Sequence, residues 1–166
     1  QEKYSKDVQL DLAADESKKI IFPDWHGGLG SVYFLKLVLK DKDGKEISSN
    51  FYWLSFKGDE NTDFTALNKL PEVELNFSVS SFDLKNGKYK AAVDIENPSA
   101  SLAFLVNPKI IRRDSKDLVL PFFWEDNYFA LLPKEKRSLK VEFDASDLNG
   151  ETPLLAIDGW DIKKSE

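Results

Sequence analysis

The strongest constraint on this chain is a two-residue alternation of apolar and polar side chains that recurs along its length. Val73, Leu75, Phe77 and Val79 interleave with Glu74, Asn76, Ser78 and Ser80. Tyr89, Ala91, Val93 and Ile95 do the same against Lys88, Lys90, Asp94 and Glu96, and Leu139, Val141 and Phe143 against Lys140, Glu142 and Asp144. Successive side chains on a strand point to opposite faces, so this period belongs to strands buried on one side. Phe77, Val93, Val141 and Phe143 are accordingly expected in the core. Val8, Leu10 and Leu12 alternate in the same way, as do Leu35, Leu37 and Leu39 less cleanly. No segment sustains a capped helical pattern; a single turn near Ala145–Leu148 is the exception. The chain reads as all-β.

Turn residues punctuate the strands. Asp43-Gly44 and Asn86-Gly87 are hairpin signals, because glycine takes positive φ without cost and Asn or Asp tolerates it next best. Asn97-Pro98-Ser99 and Asn149-Gly150 are further breaks. A boundary falls between Lys57 and Pro71, where Gly58-Asp59-Glu60-Asn61-Thr62-Asp63 is polar and weakly patterned. About seven strand-like runs follow it, the number an immunoglobulin-like sandwich with aligned sheets needs. Three or four precede it. Residues 69–166 are therefore expected to be a complete sandwich, and residues 1–68 the C-terminal part of another. An incomplete sandwich leaves an apolar face and unpaired edges, which favour self-association.

Composition narrows the chemistry. The 166 residues are 42% hydrophobic and 13% aromatic, enough for a packed core, and carry a net charge of −6. No basic cluster of the kind that tracks a phosphate backbone is present, which argues against a nucleic-acid partner. No apolar run approaches the roughly 20 residues that span a bilayer, so no membrane partner is expected. With no cysteine there is no disulfide, thiol nucleophile or cysteine-based zinc site. No cofactor is called for. Gln1 and the absence of methionine suggest a piece of a longer protein.

Several residues invite a functional reading. Pro121–Pro133 gathers five aromatic rings, Phe122, Phe123, Trp124, Tyr128 and Phe129, around Glu125, Asp126 and Asn127. Two neighbouring acids suggest a glycosidase pair, but adjacent strand residues point apart and cannot readily flank one bond, so no catalytic residue is assigned. Trp124 with Asp126, Asn127 and Tyr128 is the best local grouping for sugar contact or for an inter-domain contact, since a ring can stack on a pyranose while carboxylate and amide bond its hydroxyls. Sandwich cores and interfaces use the same rings. His26, the only histidine, lies in Asp24-Trp25-His26-Gly27-Gly28-Leu29-Gly30, which matches no phosphate loop and is read as a flexible loop. Asp41-Lys42-Asp43-Gly44 lacks the terminal glutamate of a calcium loop and is read as a turn; no metal site is assigned.

The segment Pro121–Pro133 resembles a hallmark of the last immunoglobulin-like domain in glycoside hydrolase family 2 enzymes of the β-mannosidase and exo-β-glucosaminidase type. Asn97-Pro98-Ser99, Leu102-Ala103-Phe104 and Asp158-Gly159-Trp160 resemble that domain too. Val32–Leu37, Asp41–Lys45 and Asn50–Ser55 resemble the final strands of the domain before it. Lys134 departs from the pattern, which often has glycine there. The resemblance implies a retaining β-glycosidase whose catalytic carboxylates sit on a (β/α)-barrel elsewhere in the polypeptide, in the periplasm or outside the cell. This chain would then be a non-catalytic module partnered by that barrel and the other domains. An autonomous carbohydrate-binding module is the second reading, and an adhesion or interaction sandwich the third.

Overall fold

The computed structural model describes residues 2–20, 29–58 and 60–166, and the chain divides into two compact units, Gln1–Leu67 and Asn68–Glu166. Trp25 and His26 lie outside the described residues.

The first unit contains one antiparallel pair, β1 (Val32–Lys40) and β2 (Glu46–Ser55), with Val32 opposite Ser55 and Leu39 opposite Ser48. Its turn is the one expected of Asp43-Gly44. Gly44 takes φ +80, and Asp41 Oδ1 accepts the N–H of both Asp43 and Lys45 at 2.9 Å. The alternating run Val8–Leu12 forms no strand, and Val8, Leu10 and Leu12 are exposed. Alternation marks a face that could be buried; without a partner strand and a cover it does not make a sheet. Two strands, rather than three or four, are formed among the described residues of this unit.

The second unit holds β3 (Asn76–Val79), β4 (Asp83–Lys85), β5 (Lys88–Glu96), β6 (Ala103–Arg112), β7 (Phe122–Trp124), β8 (Phe129–Leu131), β9 (Lys136–Asp144) and β10 (Pro153–Asp158). One sheet runs β3-β5-β9-β7, with β4 also paired to β5, and the other runs β10-β6-β8. The all-β reading is borne out. Asn86 (φ 52) and Gly87 (φ 78) form the two-residue turn that sets Lys85 opposite Lys88. Ala145–Leu148 is a single 3-10 turn.

The inner faces meet in one core that includes Val93, Ile95, Val106, Ile110, Val141, Phe143 and Ile157. Phe143 is 1% exposed and stacks on Tyr89 at 5.4 Å between centroids. Phe77, expected in the core, is only half-buried, because β3 is an edge strand with no neighbour on its outer side. Val73 and Leu75 are buried although they precede β3; Val73 instead makes a parallel bridge with Ile162.

One buried polar residue ties the sheets together. Asn97 is fully buried, and its amide donates to the carbonyls of Ser101 (2.8 Å) and Leu131 (3.0 Å) while its Oδ1 accepts from the Ser99 N–H and hydroxyl. A buried amide is tolerated only when both ends are satisfied in this way. Lys134, at φ 66, sits beside it and donates its N–H to the Asn97 carbonyl at 2.9 Å. The glycine-like backbone at Lys134 accounts for the family preference at that position.

Candidate interaction site at the sandwich edge

The segment Pro121–Pro133 spans the side of the sandwich where β7 edges one sheet and β8 edges the other. In β7, Phe122 lies opposite Phe143 and Trp124 opposite Val141, so both rings face inward and pack against the core. Phe123, of the other parity, is 61% exposed. The indole Nε1 of Trp124 is buried without a hydrogen-bond partner.

Past Trp124 the two acids diverge. The Glu125 N–H donates to the Lys140 carbonyl at 3.2 Å, and Glu125 Oε2 accepts the Lys140 N–H at 3.0 Å, extending the β7–β9 pairing by one residue. Asp126 Oδ2 pairs with the Arg137 guanidinium at 2.5 Å, and Asp126 Oδ1 accepts the Asn127 N–H at 2.8 Å. The Lys140 ammonium also lies 3.7 Å from Glu125 Oε1, and because the Lys140 and Arg137 side chains have opposite parity on β9, the two carboxylates are held towards opposite faces of that strand. The Arg137 guanidinium also lies 4.6 Å over the ring of Phe129, which is itself buried. Cation–π and ion-pair contacts thus converge on one arginine.

These anchors carry a strained residue. Tyr128 has φ 52 and is 57% exposed. A bulky side chain in the left-handed region costs roughly 1–2 kcal/mol and persists only where its neighbours impose it. Here Asp126 is fixed on one side and Phe129 is buried on the other. The loop presents Asn127 and Tyr128 outward between these two anchors. Phe123, Leu120 (60% exposed) and Leu118 extend the exposed apolar row on the same crossover.

Of the four residues singled out from the sequence, Asn127 and Tyr128 face solvent, Asp126 is engaged by Arg137, and Trp124 is half in the core. Phe123 and Arg137 were missed. Parity in Phe122-Phe123-Trp124 separates the outer ring from the inner two. Arg137 falls in phase with Leu139, Val141 and Phe143, and a charge at an inward position signals a partner.

The family of exo-β-D-glucosaminidase Ig-fold domains matches residues 50–162. The exo-β-D-glucosaminidase of Amycolatopsis orientalis is 33% identical over 150 residues, covering 80% of this chain and 14% of that protein. The Streptomyces avermitilis exo-β-D-glucosaminidase is 29% identical, covering 96% of this chain and 20% of its own length. Among solved structures, the A. orientalis exo-chitosanase CsxA superposes with a TM-score of 0.73 at 30% identity, over 83% of this chain and 18% of that one. The chain thus spans between about a seventh and a fifth of the length of these relatives. The resemblance to glycoside hydrolase family 2 is borne out on its exo-β-glucosaminidase branch. Among the described residues, no helix is long and apolar enough to cross a membrane.

Proposed function

Since this chain belongs to the family of exo-β-D-glucosaminidase Ig-fold domains, we propose that it is a non-catalytic module of a longer β-glycosidase, which it stabilises or positions. The observation that carries this reading is the divergence of Glu125 and Asp126, each bound to a different residue of β9. Retaining hydrolysis needs two carboxyl groups about 5–5.5 Å apart with a sugar between them. Incubation of the chain with aryl β-glucosaminides and β-mannosides is expected to give no turnover. Activity that survives rigorous purification overturns the reading.

Residues 1–68 act in this reading as the C-terminal part of the preceding immunoglobulin-like domain. Opposite residues place Tyr33 with Leu54 and Leu35 with Tyr52 on one face of the hairpin, continued by Leu37 and Leu39, both exposed. Such a face needs a cover. Light scattering is expected to show self-association that a chain beginning at Pro71 lacks. A clean monomer of the whole chain refutes this part.

The loop with Tyr128 is, in this reading, the surface by which the module meets the rest of its polypeptide, with Asp126 and Asn127 beside it. Interface aromatics often contribute more than about 2 kcal/mol each. Tyr128→Ala is expected to lower the activity or stability of the complete enzyme while leaving this chain as stable as before. Oligosaccharide binding by the isolated chain, lost on the same substitution, would favour the carbohydrate-binding reading instead. The enzyme is expected in the periplasm or outside the cell, where a polysaccharide-cleaving activity meets its substrate; cell fractionation checks this.

A further inference from the structure

The side of the sandwich opposite the Tyr128 loop is closed in a different way, by the last residues of the chain. The Val73 N–H donates to the Asp161 carbonyl at 2.7 Å, and the Lys163 N–H to the Val73 carbonyl at 2.9 Å. Two residues on, Ser165 exchanges hydrogen bonds with Ile157 on the outer edge of β10, at 2.8 and 3.1 Å. Asp161 Oδ1 accepts the Phe104 N–H at 2.7 Å, and the Trp160 N–H donates to the Phe104 carbonyl at 3.0 Å. The tail thus holds three places at once: the segment leading into β3, the edge of β10 and the start of β6.

Costs are concentrated at the same place. Asp161 Oδ2 and Ser165 Oγ are two of the three buried side-chain polar atoms without a partner among the described residues. Burial pushes the Asp161 carboxyl pKa up, against the Phe104 N–H that favours its charged form. Leu105 takes φ 53 at the bulge where the β6–β8 register shifts between Ala103 and Val106. Its carbonyl and the Ile162 side chain leave no room at Gly159, where an added Cβ would lie 2.8 and 2.5 Å from them. The ion pairs that border the tail, Lys163–Glu74 and Lys116–Glu166, are on the surface, where such pairs add little.

A segment fastened by isolated bridges rather than by a full ladder, and carrying two buried polar atoms without partners, belongs at the low-stability end of a native structure. We propose that Asp161–Ser165 is a latch that opens as a unit, releasing Val73 and the segment before β3 while the β5–β9 ladder stays closed. Val73 lies a few residues past the boundary at Asn68, so the latch sets how firmly the sandwich grips the chain that enters it.

Native-state hydrogen exchange on the whole chain tests this without any variant. The amides of Val73, Phe104, Ile157, Lys163 and Ser165 are expected to exchange together, at least about tenfold faster than the most protected amides of β5 and β9. Truncation after Trp160 is then expected to abolish protection at Val73, Phe104 and Ile157 and to leave the β5–β9 ladder protected. Exchange of the Val73 and Ser165 amides at the rate of the β5–β9 amides overturns the proposal, because the tail would then open only with the whole domain. Unequal rates at Val73 and Ser165 overturn it too, because the two attachments would not form one unit. If the truncated chain fails to fold, the exchange pattern of the intact chain decides the matter.

Discussion

The β1–β2 hairpin and the β5–β9 pair follow the same period of two, yet the structure seals only one of them. In β5 and β9, Val93 is fully buried and Val141 is 2% exposed, beneath a second sheet. In the hairpin, Leu39 is 57% and Ile47 62% exposed. Both pairs carry strand-forming residues and hydrogen-bonded ladders. What separates them is the opposing layer. A pattern of apolar residues states which face is to be buried, while the supply of a second layer decides whether burial occurs.

The comparison breaks most decisively at Phe143. Its ring contacts Tyr89 and Phe82 and is almost wholly enclosed. Phe143→Ala is expected to cost on the order of 3–5 kcal/mol, the range for deleting a buried aromatic side chain. Denaturant titration of the second unit's unfolding measures it. A loss below about 1 kcal/mol, typical of a surface change, would mean the register of β9 is wrong.

Asn97→Ala comes next, at roughly 2–3 kcal/mol. The substitution strands the Leu131 and Ser101 carbonyls and the Ser99 N–H, and buried groups left unpaired cost about 1–3 kcal/mol. The same titration reads it. A loss of only a few tenths would show that water replaces the amide. The hairpin supplies the contrast: Leu37→Ala is expected to change this chain's stability by less than about 0.5 kcal/mol. In the longer polypeptide, with that face covered, it is expected to cost 2 kcal/mol or more, at the low end of leucine-to-alanine changes in a core. Equal effects in both settings would remove the distinction between the two pairs.

Much of this was legible in the residues. Alternation placed β5 and β9 in phase, and Asn86-Gly87 marked the turn into β5, because the physics of both is local. The bulge in β6 was not legible. From Ala103 to Val106 the chain advances one residue more than its partner between Leu131 and Phe129, so the inward parity changes partway along the strand. No local pattern announces that shift, which depends on the Asp158–Asp161 turn docking against Phe104. The candidate site was legible as a cluster but not as a geometry. The divergence of Glu125 and Asp126 follows from their partners on β9, and the pairing of Asp126 with Arg137 is set by how β7 and β8 cross between sheets. Val8–Leu12 shows the converse error, a sound local pattern with nothing described above it.

The smallest expected effect lies on the outer face of β5 and β9, which the hairpin has no equivalent of. Glu142 receives the Lys90 ammonium at 2.7 Å and the Lys88 ammonium at 2.9 Å. Those bonds, Lys90 first and then Lys88, hold its carboxyl at about 2, below the ordinary 4.5, with burial opposing them. A depressed carboxylate pKa means the folded state binds its proton less tightly than the unfolded chain does. The stabilisation is therefore complete above the ordinary value and is lost as pH falls through about 2. Because the group faces solvent, the effect should weaken as salt is added. An NMR titration of the Glu142 side chain is expected to give a midpoint near 2, and Lys90→Ala to raise it toward 4.5. A wild-type midpoint already at the ordinary value would show that the lysines do not hold the carboxylate in solution. It would also weaken the polar finish of this face, which Lys136–Glu96 at 3.4 Å and the Ser138–Asp94 hydrogen bond share, where both faces of β1–β2 carry apolar side chains: Phe34, opposite Trp53, on one and Leu35, opposite Tyr52, on the other.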